Sequence, residues 1–276
     1  MDVAEITLRI VRVDDIVLHE GQDPLVVKHL AERLRDDGIA RNPPIVSEAD
    51  GRYIVLDGAT RTGAFKYLGI RDVLVQIVDY AARNICLDSW HHLLQKISPS
   101  DLFDAIAAID GITVERVDAK QAEHDLTLHK SLCYILLRNG ATYAVRGNGT
   151  DSLEANVTQL NRVVNVYAGK TQVYRAVTTE LDILLREYPD LSMLVVFPRY
   201  TPFEVTRLAL NGAKLPMGVT RHLIGGRAIG INIPLERLVA DESLEAKNAW
   251  LQKWLMEKIH TRKVRFYQEP VFVFDE

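Results

Sequence analysis

The stretch VLDGATRTGA, residues 55–64, decides the fold of this chain. It continues an apolar run from Tyr53 that predicts a strand, and its Asp57-Gly58 pair predicts a turn. Apolar residues with helical spacing follow, until Gly69 ends the helix. A strand that turns through glycine into a helix directs several backbone N–H groups and the positive end of the helix dipole to one spot. The stretch therefore predicts an anion-binding site.

Side chains in this turn are suited to a nucleotide phosphate. Thr60 can add a hydroxyl donor, and Arg61 offers a planar cationic fork that matches phosphate oxygens. Asp57, at the end of the strand, could hold a magnesium ion that bridges those phosphates. In the simpler alternative, Asp57 and Thr60 cap the helix and Gly58 only makes a tight turn. Spacing alone leaves both interpretations open.

The sequence on both sides of the turn predicts a compact α/β domain over residues 1–82. A helical pattern from Leu25 ends at Gly38, Pro43-Pro44 prevents further helix, and residues 73–78 predict a final strand. Residues 83–276 predict a second, larger domain of mixed α/β class, with the longest helical pattern in residues 152–187. Within a Gly- and Pro-rich segment, residues 213–234, the sequence predicts a polar, cationic loop over residues 220–227 and a strand over residues 228–233.

Composition and charge exclude several classes of protein. The 276 residues are 47% hydrophobic and 25% charged, with a net charge of -4, which is typical of a globular protein rather than a disordered one. No basic block is present, so a protein built mainly to neutralise the phosphates of nucleic acid is not expected. The whole net charge falls in residues 1–80, where 10 Lys and Arg face 14 Asp and Glu.

The cysteines and the apolar runs of the sequence indicate in which compartment the protein is expected. Cys86 and Cys133 are too far apart for a zinc pattern, and each lies in an apolar context. The N-terminus lacks the pattern of a signal peptide, and apolar runs such as Leu194–Phe197 are far below the roughly 20 residues that span a bilayer. We therefore expect a cytoplasmic protein without disulfides and without a membrane partner.

Three short motifs carry a resemblance to a known superfamily. The frame D-G-x-x-R-x-x-A from Asp57, which follows an N-P-P-I-V segment and an apolar strand, resembles the ParB/sulfiredoxin superfamily. Within that superfamily the chain is most similar to the free L-serine kinases, which carry motifs like Leu18-His19-Glu20 and like residues 215–222, LPMGVTRH. The resemblance spans roughly residues 8–235 and implies a ParB/sulfiredoxin-like nucleotide-binding domain packed on a larger mixed α/β domain.

The resemblance also implies roles for individual residues. Glu20 matches the family's general base, and Asp57 matches a catalytic residue that binds magnesium or positions the phosphates. The turn Gly58, Ala59, Thr60 and Arg61 would bind nucleotide, although Thr60 stands where the family usually has histidine. The implied substrate-binding residues are Trp90, Thr220, Arg221 and His222.

Without the resemblance, each of these positions has an ordinary structural explanation. Glu20 could be an exposed loop residue beside Gly21, Trp90 a core residue, and residues 220–222 part of a solvated loop. The adjacent histidines His91 and His92 do not predict a metal site, because neighbouring residues on a helix point about 100° apart.

The resemblance implies a kinase that phosphorylates free L-serine to O-phospho-L-serine, with Mg²⁺ as cofactor and ATP or ADP as phosphoryl donor. Its partners would be small molecules, and its product would feed cysteine or siderophore biosynthesis. Two alternatives stay open: a ParB-like regulator that binds nucleotide and DNA, and a non-catalytic ligand or haem sensor. The sequence shows no helix-turn-helix for the first alternative and does not indicate an oligomeric state. Sulfiredoxin chemistry is excluded, because the turn contains no cysteine.

Overall fold

A computed structural model describes residues 6–148 and 152–267 of the chain. The strands are β1 (Thr7–Arg12), β2 (Ile16–Leu18), β3 (Ile39–Ala40), β4 (Ile45–Ala49), β5 (Arg52–Asp57), β6 (Asp72–Ile77), β7 (Ile85–Ser89), β8 (His91–Gln95), β9 (Thr113–Val117), β10 (Cys133–Leu137), β11 (Thr142–Arg146), β12 (Gln172–Ala176), β13 (Leu191–Val196), β14 (Thr220–Ile224) and β15 (Ile233–Pro234). The helices are α1 (Pro24–Asp37), α2 (Ala59–Tyr67), α3 (Pro99–Ala107), α4 (Ala119–Thr127), α5 (Leu153–Tyr167), α6 (Leu181–Glu187), α7 (Pro202–Leu210), α8 (Leu235–Val239) and α9 (Leu244–His260).

The chain divides into two compact units that interleave along the sequence. Of the described residues, the first unit, here the N-unit, contains 6–17, 22–82 and 224–267, and the second, here the M-unit, contains 18–21, 83–148 and 152–223. The units agree with a division near residue 82 except for two segments: residues 224–267 pack with the N-unit, and residues 18–21 pack with the M-unit.

The N-unit is built on a five-stranded sheet of order β1-β6-β4-β5-β2, in which β4 and β6 are parallel. Helix α1 begins where the Asp23 side chain accepts hydrogen bonds from the first-turn N–H groups, and it ends at Gly38, which has a φ of 64°. The predicted hairpin, turn and helix of residues 45–67 are present as β4, β5 and α2.

Helix α9 packs with the N-unit because its polar side chains bond to strands of that unit's sheet. Strand β1 is an edge strand, and a side chain of α9 pairs with backbone groups that no neighbouring strand reaches. The Asn248 side chain accepts from the Ile10 N–H at 2.9 Å and donates to the Ile10 carbonyl at 2.8 Å. Beside it, the buried Lys247 ammonium donates to Asp72 Oδ2 at 2.6 Å and to the Leu238 carbonyl at 2.7 Å. Such hydrogen bonds satisfy backbone and charged groups that would otherwise be buried without partners.

The M-unit is built on a six-stranded antiparallel sheet of order β12-β8-β13-β10-β11-β9. One face of its inner strands buries Leu93, Tyr134 and Leu194 together with Leu126 of α4 and Leu184 of α6. Strands β7 and β14 form a separate two-stranded sheet.

Two local predictions for the M-unit are wrong. Residues 152–187 do not contain the longest described helix, which is α9, because strand β12 separates α5 from α6 and is held by antiparallel pairing with β8. Residues 220–222 are not a loop, because they begin strand β14. Both errors have the same cause: pairing with a strand distant in sequence overrides a weak local pattern. Of the helices within residues 6–148 and 152–267, none is long and apolar enough to cross a membrane.

Candidate active site

The predicted phosphate-binding turn lies in the N-unit, between β5 and α2. Gly58 precedes the first turn of α2 with a φ of 92°, a left-handed conformation that favours glycine. A Cβ atom at Gly58 would lie 2.7 Å from Nη2 of Arg61 and 3.0 Å from the Cα of Pro44. Arg61 thus folds back over the turn, and this position has room only for glycine.

Asp57 is the centre of a charged cluster at this turn. Its Oδ2 atom accepts a hydrogen bond from Arg61 Nη2 at 2.6 Å, and the same oxygen accepts a short hydrogen bond from Nη2 of Arg227. Among the described residues, its hydrogen bonds run to these guanidinium groups rather than to the N–H groups of α2, so Asp57 is not a helix cap. Two cations against one carboxylate, together with the helix N-terminus, give the turn a local excess of positive charge.

The donor set at Asp57 fits a magnesium ion only as part of a nucleotide complex. Both of its ion pairs use Oδ2, and within the described ranges no group of three or more His, Cys, Asp or Glu residues could form a metal cage. Protein-bound Mg²⁺ commonly takes one or two carboxylates and completes its six ligands with phosphate and water oxygens. Asp57 can supply one such ligand through Oδ1.

A cavity of about 600 Å³ opens beside Arg61 within the N-unit. It is formed by the C-terminal half of α1, the first turns of α2 and two loops of the same unit. Its wall is mainly apolar, with a few polar groups, and consists of Leu30, Arg33, Leu34, Asp37, Ile39, Ala40, Arg41, Asn42, Arg61, Ala64, Phe65, Ile229, Gly230 and Asn232. Apolar walls with a few polar groups are typical of small-molecule sites.

Glu20 lies in the M-unit, where backbone pairing fixes its segment. It forms an isolated parallel bridge with Leu215. The Leu215 N–H donates to the His19 carbonyl at 2.8 Å, and the Gly21 N–H donates to the Leu215 carbonyl at 2.9 Å. Glu20 is therefore not an exposed loop residue, the alternative that the sequence left open: its segment is paired and its side chain is only 13% exposed.

Both oxygens of the Glu20 carboxylate accept hydrogen bonds from the segment that follows Leu215. Oε2 accepts from the Gly218 N–H at 2.9 Å, and Oε1 accepts from the Thr220 N–H at 2.7 Å and from the Thr220 hydroxyl through a short hydrogen bond. A carboxylate offers about four acceptor positions. Among the described residues three are used, which leaves one position, on Oε2, for a further donor.

His19 and His222 complete the surroundings of Thr220. The His19 Nε2 atom lies 2.8 Å from Thr220 Oγ1, and the two imidazole rings are 5.2 Å apart, edge to face. Burial, and to a smaller extent the neighbouring His19, lowers the pKa of His222 from 6.5 to about 3. The His222 ring is therefore neutral at pH 7.

Trp90 and Arg221 lie together next to the Glu20 segment. The backbone N–H of Trp90 donates to the Val219 carbonyl at 2.8 Å. The Arg221 guanidinium lies 4.9 Å from the centre of the indole ring of Trp90. Arg221 Nη1 is also 3.8 Å from Asp88 Oδ2. Trp90 is half-buried.

The structure thus groups the predicted residues into two sets. Asp57, Gly58, Ala59, Thr60 and Arg61 lie together in the N-unit, and Glu20, Trp90, Thr220, Arg221 and His222 lie together in the M-unit. The sequence assigned no role to His19, although its place beside Glu20 in the Leu18-His19-Glu20 motif was a signal.

Two curated relatives match most of this chain. The ATP-dependent L-serine kinase SbnI of Staphylococcus aureus (strain NCTC 8325 / PS 47) is 28% identical over 277 residues, which cover 98% of this chain and 97% of the relative. The ATP-dependent L-serine kinase of Staphylothermus marinus (strain ATCC 43588 / DSM 3639 / JCM 9404 / F1) is 28% identical over 234 residues, which cover 83% and 90%. The chain is related to the L-serine kinases. The resemblance predicted from the three motifs is confirmed.

A solved structure agrees with this relationship at the level of the fold. A free serine kinase in complex with AMP has a TM-score of 0.73 to this chain at 17% identity, covering 84% of this chain and 94% of that chain. The predicted mixed α/β fold is therefore confirmed. No protein-family model matches the sequence.

Proposed function

We propose that the protein is a phosphotransferase that uses ATP to convert free L-serine to O-phospho-L-serine. The observation that carries the proposal is the fixed carboxylate of Glu20, with one acceptor position left, in a chain related over 98% of its length to an ATP-dependent L-serine kinase. The names of the relatives favour ATP over ADP as the donor.

Glu20 is the proposed general base. Its remaining acceptor position on Oε2 can receive the hydrogen bond of the serine hydroxyl. As the hydroxyl oxygen forms its bond to the terminal phosphorus of the donor, the proton passes to Glu20 and the bridging P–O bond of the donor breaks. The backbone N–H groups of Gly218 and Thr220 hold the carboxylate in place, so no reorganisation is needed at the moment of transfer.

The turn of the N-unit is the proposed phosphate site. The first N–H groups of α2 and the Arg61 guanidinium offer donors to phosphate oxygens, and Arg61 stabilises the charge of the transferred group. Asp57 would hold a Mg²⁺ ion, which when bound neutralises charge on the phosphate oxygens. The adjoining cavity of about 600 Å³ has the size and the apolar wall to accept the nucleoside part of the donor.

Trp90, Arg221 and His222 are the proposed acceptor-binding residues. Arg221 and Trp90 form a cation–π pair that suits the charged groups of a small zwitterion, and the neutral His222 ring lies 5.2 Å from the ring of His19. The product carries a phosphate on Cβ, a good leaving group for the carbon–nitrogen or carbon–sulfur bond formation of siderophore or cysteine biosynthesis.

The direct test is incubation of purified, folded protein with L-serine, Mg²⁺ and either ATP or ADP, followed by mass spectrometry. We expect O-phospho-L-serine and ADP from the ATP reaction, with L-serine preferred over D-serine and L-threonine. Absence of O-phosphoserine with both donors, from protein with a cooperative unfolding transition, would refute the proposal.

A further inference from the structure

Arg175 lies close to Gly218, a neighbour of the proposed base, although the two residues are far apart in sequence. It lies on β12, the edge strand of the M-unit sheet, where its Cα pairs with that of His92 on β8. Its guanidinium lies against the backbone of Gly218: a Cβ atom built there would be 2.5 Å from Nη2 and 2.7 Å from Nε of Arg175. Gly218 has a φ of 75° and no side chain, so the guanidinium can approach the backbone this closely.

Gly218 also connects Arg175 to the proposed base. The Gly218 N–H donates to Glu20 Oε2 at 2.9 Å, so a single residue's backbone separates the guanidinium from the carboxylate. Arg175 does not pair with that carboxylate. Within residues 6–148 and 152–267 its guanidinium makes neither a hydrogen bond nor an ion pair, and the residue is exposed.

Two other arginines of this unit already face a carboxylate, and a nearby histidine is uncharged. Arg221 and Arg199 both face Asp88, at 3.8 Å and 3.1 Å. Burial lowers the pKa of His92 from 6.5 to about 4, and the positive charge of Arg175 lowers it in the same direction. Arg175 is therefore a permanently charged group that shares Gly218 as a neighbour with Glu20 and forms no ion pair with any described acidic residue.

We infer that Arg175 binds the α-carboxylate of the amino-acid substrate. A guanidinium binds a carboxylate through two parallel N–H donors, and such charged hydrogen bonds are stronger than neutral ones. In serine, only two carbon atoms separate the hydroxyl oxygen from the carboxylate carbon. A base and a cation that lie on either side of Gly218 can therefore reach both groups of one serine molecule.

The acceptor, rather than the phosphoryl donor, is the anion that suits Arg175. The proposed acceptor residues Glu20, Trp90 and Arg221 belong to the same unit as Arg175, and the proposed phosphate-binding turn belongs to the other unit. This assignment rests on the proposed function, because it takes free serine as the substrate.

The test compares Arg175→Gln with wild-type enzyme on L-serine and on L-serinamide, which lacks the negative charge. For Arg175→Gln we expect the KM for L-serine to rise roughly 10- to 100-fold, because one or two charged hydrogen bonds are lost. The KM for ATP should stay unchanged. The kinetics with L-serinamide should stay the same. Arg175→Lys, which keeps the charge but not the fork, should lie between the two.

Arg116→Gln is the matched control. Arg116 is an exposed arginine on β9, the opposite edge strand of the same sheet, and its substitution should leave all constants unchanged. A rise in the KM for ATP, or an equal loss with L-serine and L-serinamide, would overturn the assignment, because both indicate a role on the donor or in folding.

Binding measured by calorimetry separates this inference from the proposed function. Wild-type protein should bind L-serine more tightly than L-serinamide, and Arg175→Gln should remove that preference. If the preference depends on Arg175 but no O-phosphoserine is ever formed, the proposed kinase activity fails and the carboxylate site stands. If product forms and the preference survives the substitution, only the carboxylate site is wrong.

Discussion

Thr220 donates two hydrogen bonds to Oε1 of Glu20, one from its backbone N–H at 2.7 Å and a short one from its hydroxyl, across 200 positions of sequence. Both hydrogen-bond donors of Thr220, a predicted substrate-binding residue, are therefore bonded to the predicted base. This arrangement fixes the carboxylate while its other oxygen, Oε2, keeps one acceptor position.

Substitution of Glu20 tests the proposed base. Glu20→Gln removes the proton acceptor, so we expect kcat to fall about 10²- to 10⁴-fold, while the KM for ATP and the affinity for nucleotide stay close to wild type. Steady-state kinetics and equilibrium nucleotide binding check this. Glu123→Gln, at an exposed position on α4 of the same unit, is the control, and a Glu20→Gln enzyme with more than a tenth of wild-type kcat would argue against the role.

Gly58→Ala tests the fit of Arg61 over the phosphate turn. The new Cβ would lie 2.7 Å from Arg61 Nη2, so we expect the KM for ATP to rise by about tenfold or more and the free energy of unfolding to fall by about 1–3 kcal/mol. Gly69→Ala is the matched control, because Gly69 has a similar left-handed φ of 67° with nothing within 4 Å of its Cβ position. Gly69→Ala should lower the free energy of unfolding without any change in the KM for ATP. An equal rise in the KM for ATP in both variants would show that the contact with Arg61 is not the cause.

Acidification should destabilise the protein through its buried histidines. The folded-state pKa values of His222, His91 and His92 are lowered from 6.5 to about 3, 4 and 4, mainly by burial. The unfolded state therefore binds more protons below pH 6.5, and stability that is fully present above that pH is lost as pH falls toward 4 and then 3.

Urea unfolding at several pH values measures this loss. Each of the three histidines contributes a slope of up to about 1.4 kcal/mol per pH unit, so His222→Gln should reduce the total slope between pH 6 and 4 by about that amount. Substitution of the exposed His124 by Gln is the control and should leave the slope unchanged. A His222→Gln slope equal to that of wild type would show that His222 is not buried in its neutral form.

Lys247 should be one of the residues on which the N-unit depends most. Its side chain is 2% exposed and pairs with Asp72, which is fully buried and is also 2.7 Å from Arg12 Nη1. Lys247→Ala leaves that carboxylate with one partner fewer in a buried site, and we expect a loss of about 3–5 kcal/mol in the free energy of unfolding. Lys253→Ala, at an exposed position of the same helix, should change it by less than about 0.5 kcal/mol. A loss below about 1 kcal/mol for Lys247→Ala would refute the expectation.

Much of the N-terminal structure could be predicted from local sequence. The turn at Asp57-Gly58, the helix that Gly38 ends and the hairpin before the turn are signalled by glycine, proline and apolar spacing, which act over a few residues. Strand β12 could not be predicted in this way, because its five residues are placed by pairing with β8, some 80 positions earlier. The position of Arg175, which lies on that strand, could not be predicted for the same reason.

The sequence by itself determined the chemical groups of the candidate site: a glutamate in a short motif, an acid and an arginine around a glycine turn, and a second motif near residue 220. Only the tertiary structure decided which of these groups lie together and which partners they bond. It placed Glu20 and the 218–220 segment in one unit through hydrogen bonds that span about 200 residues, and it paired Asp57 with Arg227, 170 positions away. The physical reason is that local patterns fix backbone conformation, whereas the partner of a buried charge is chosen by whichever distant segment packs against it.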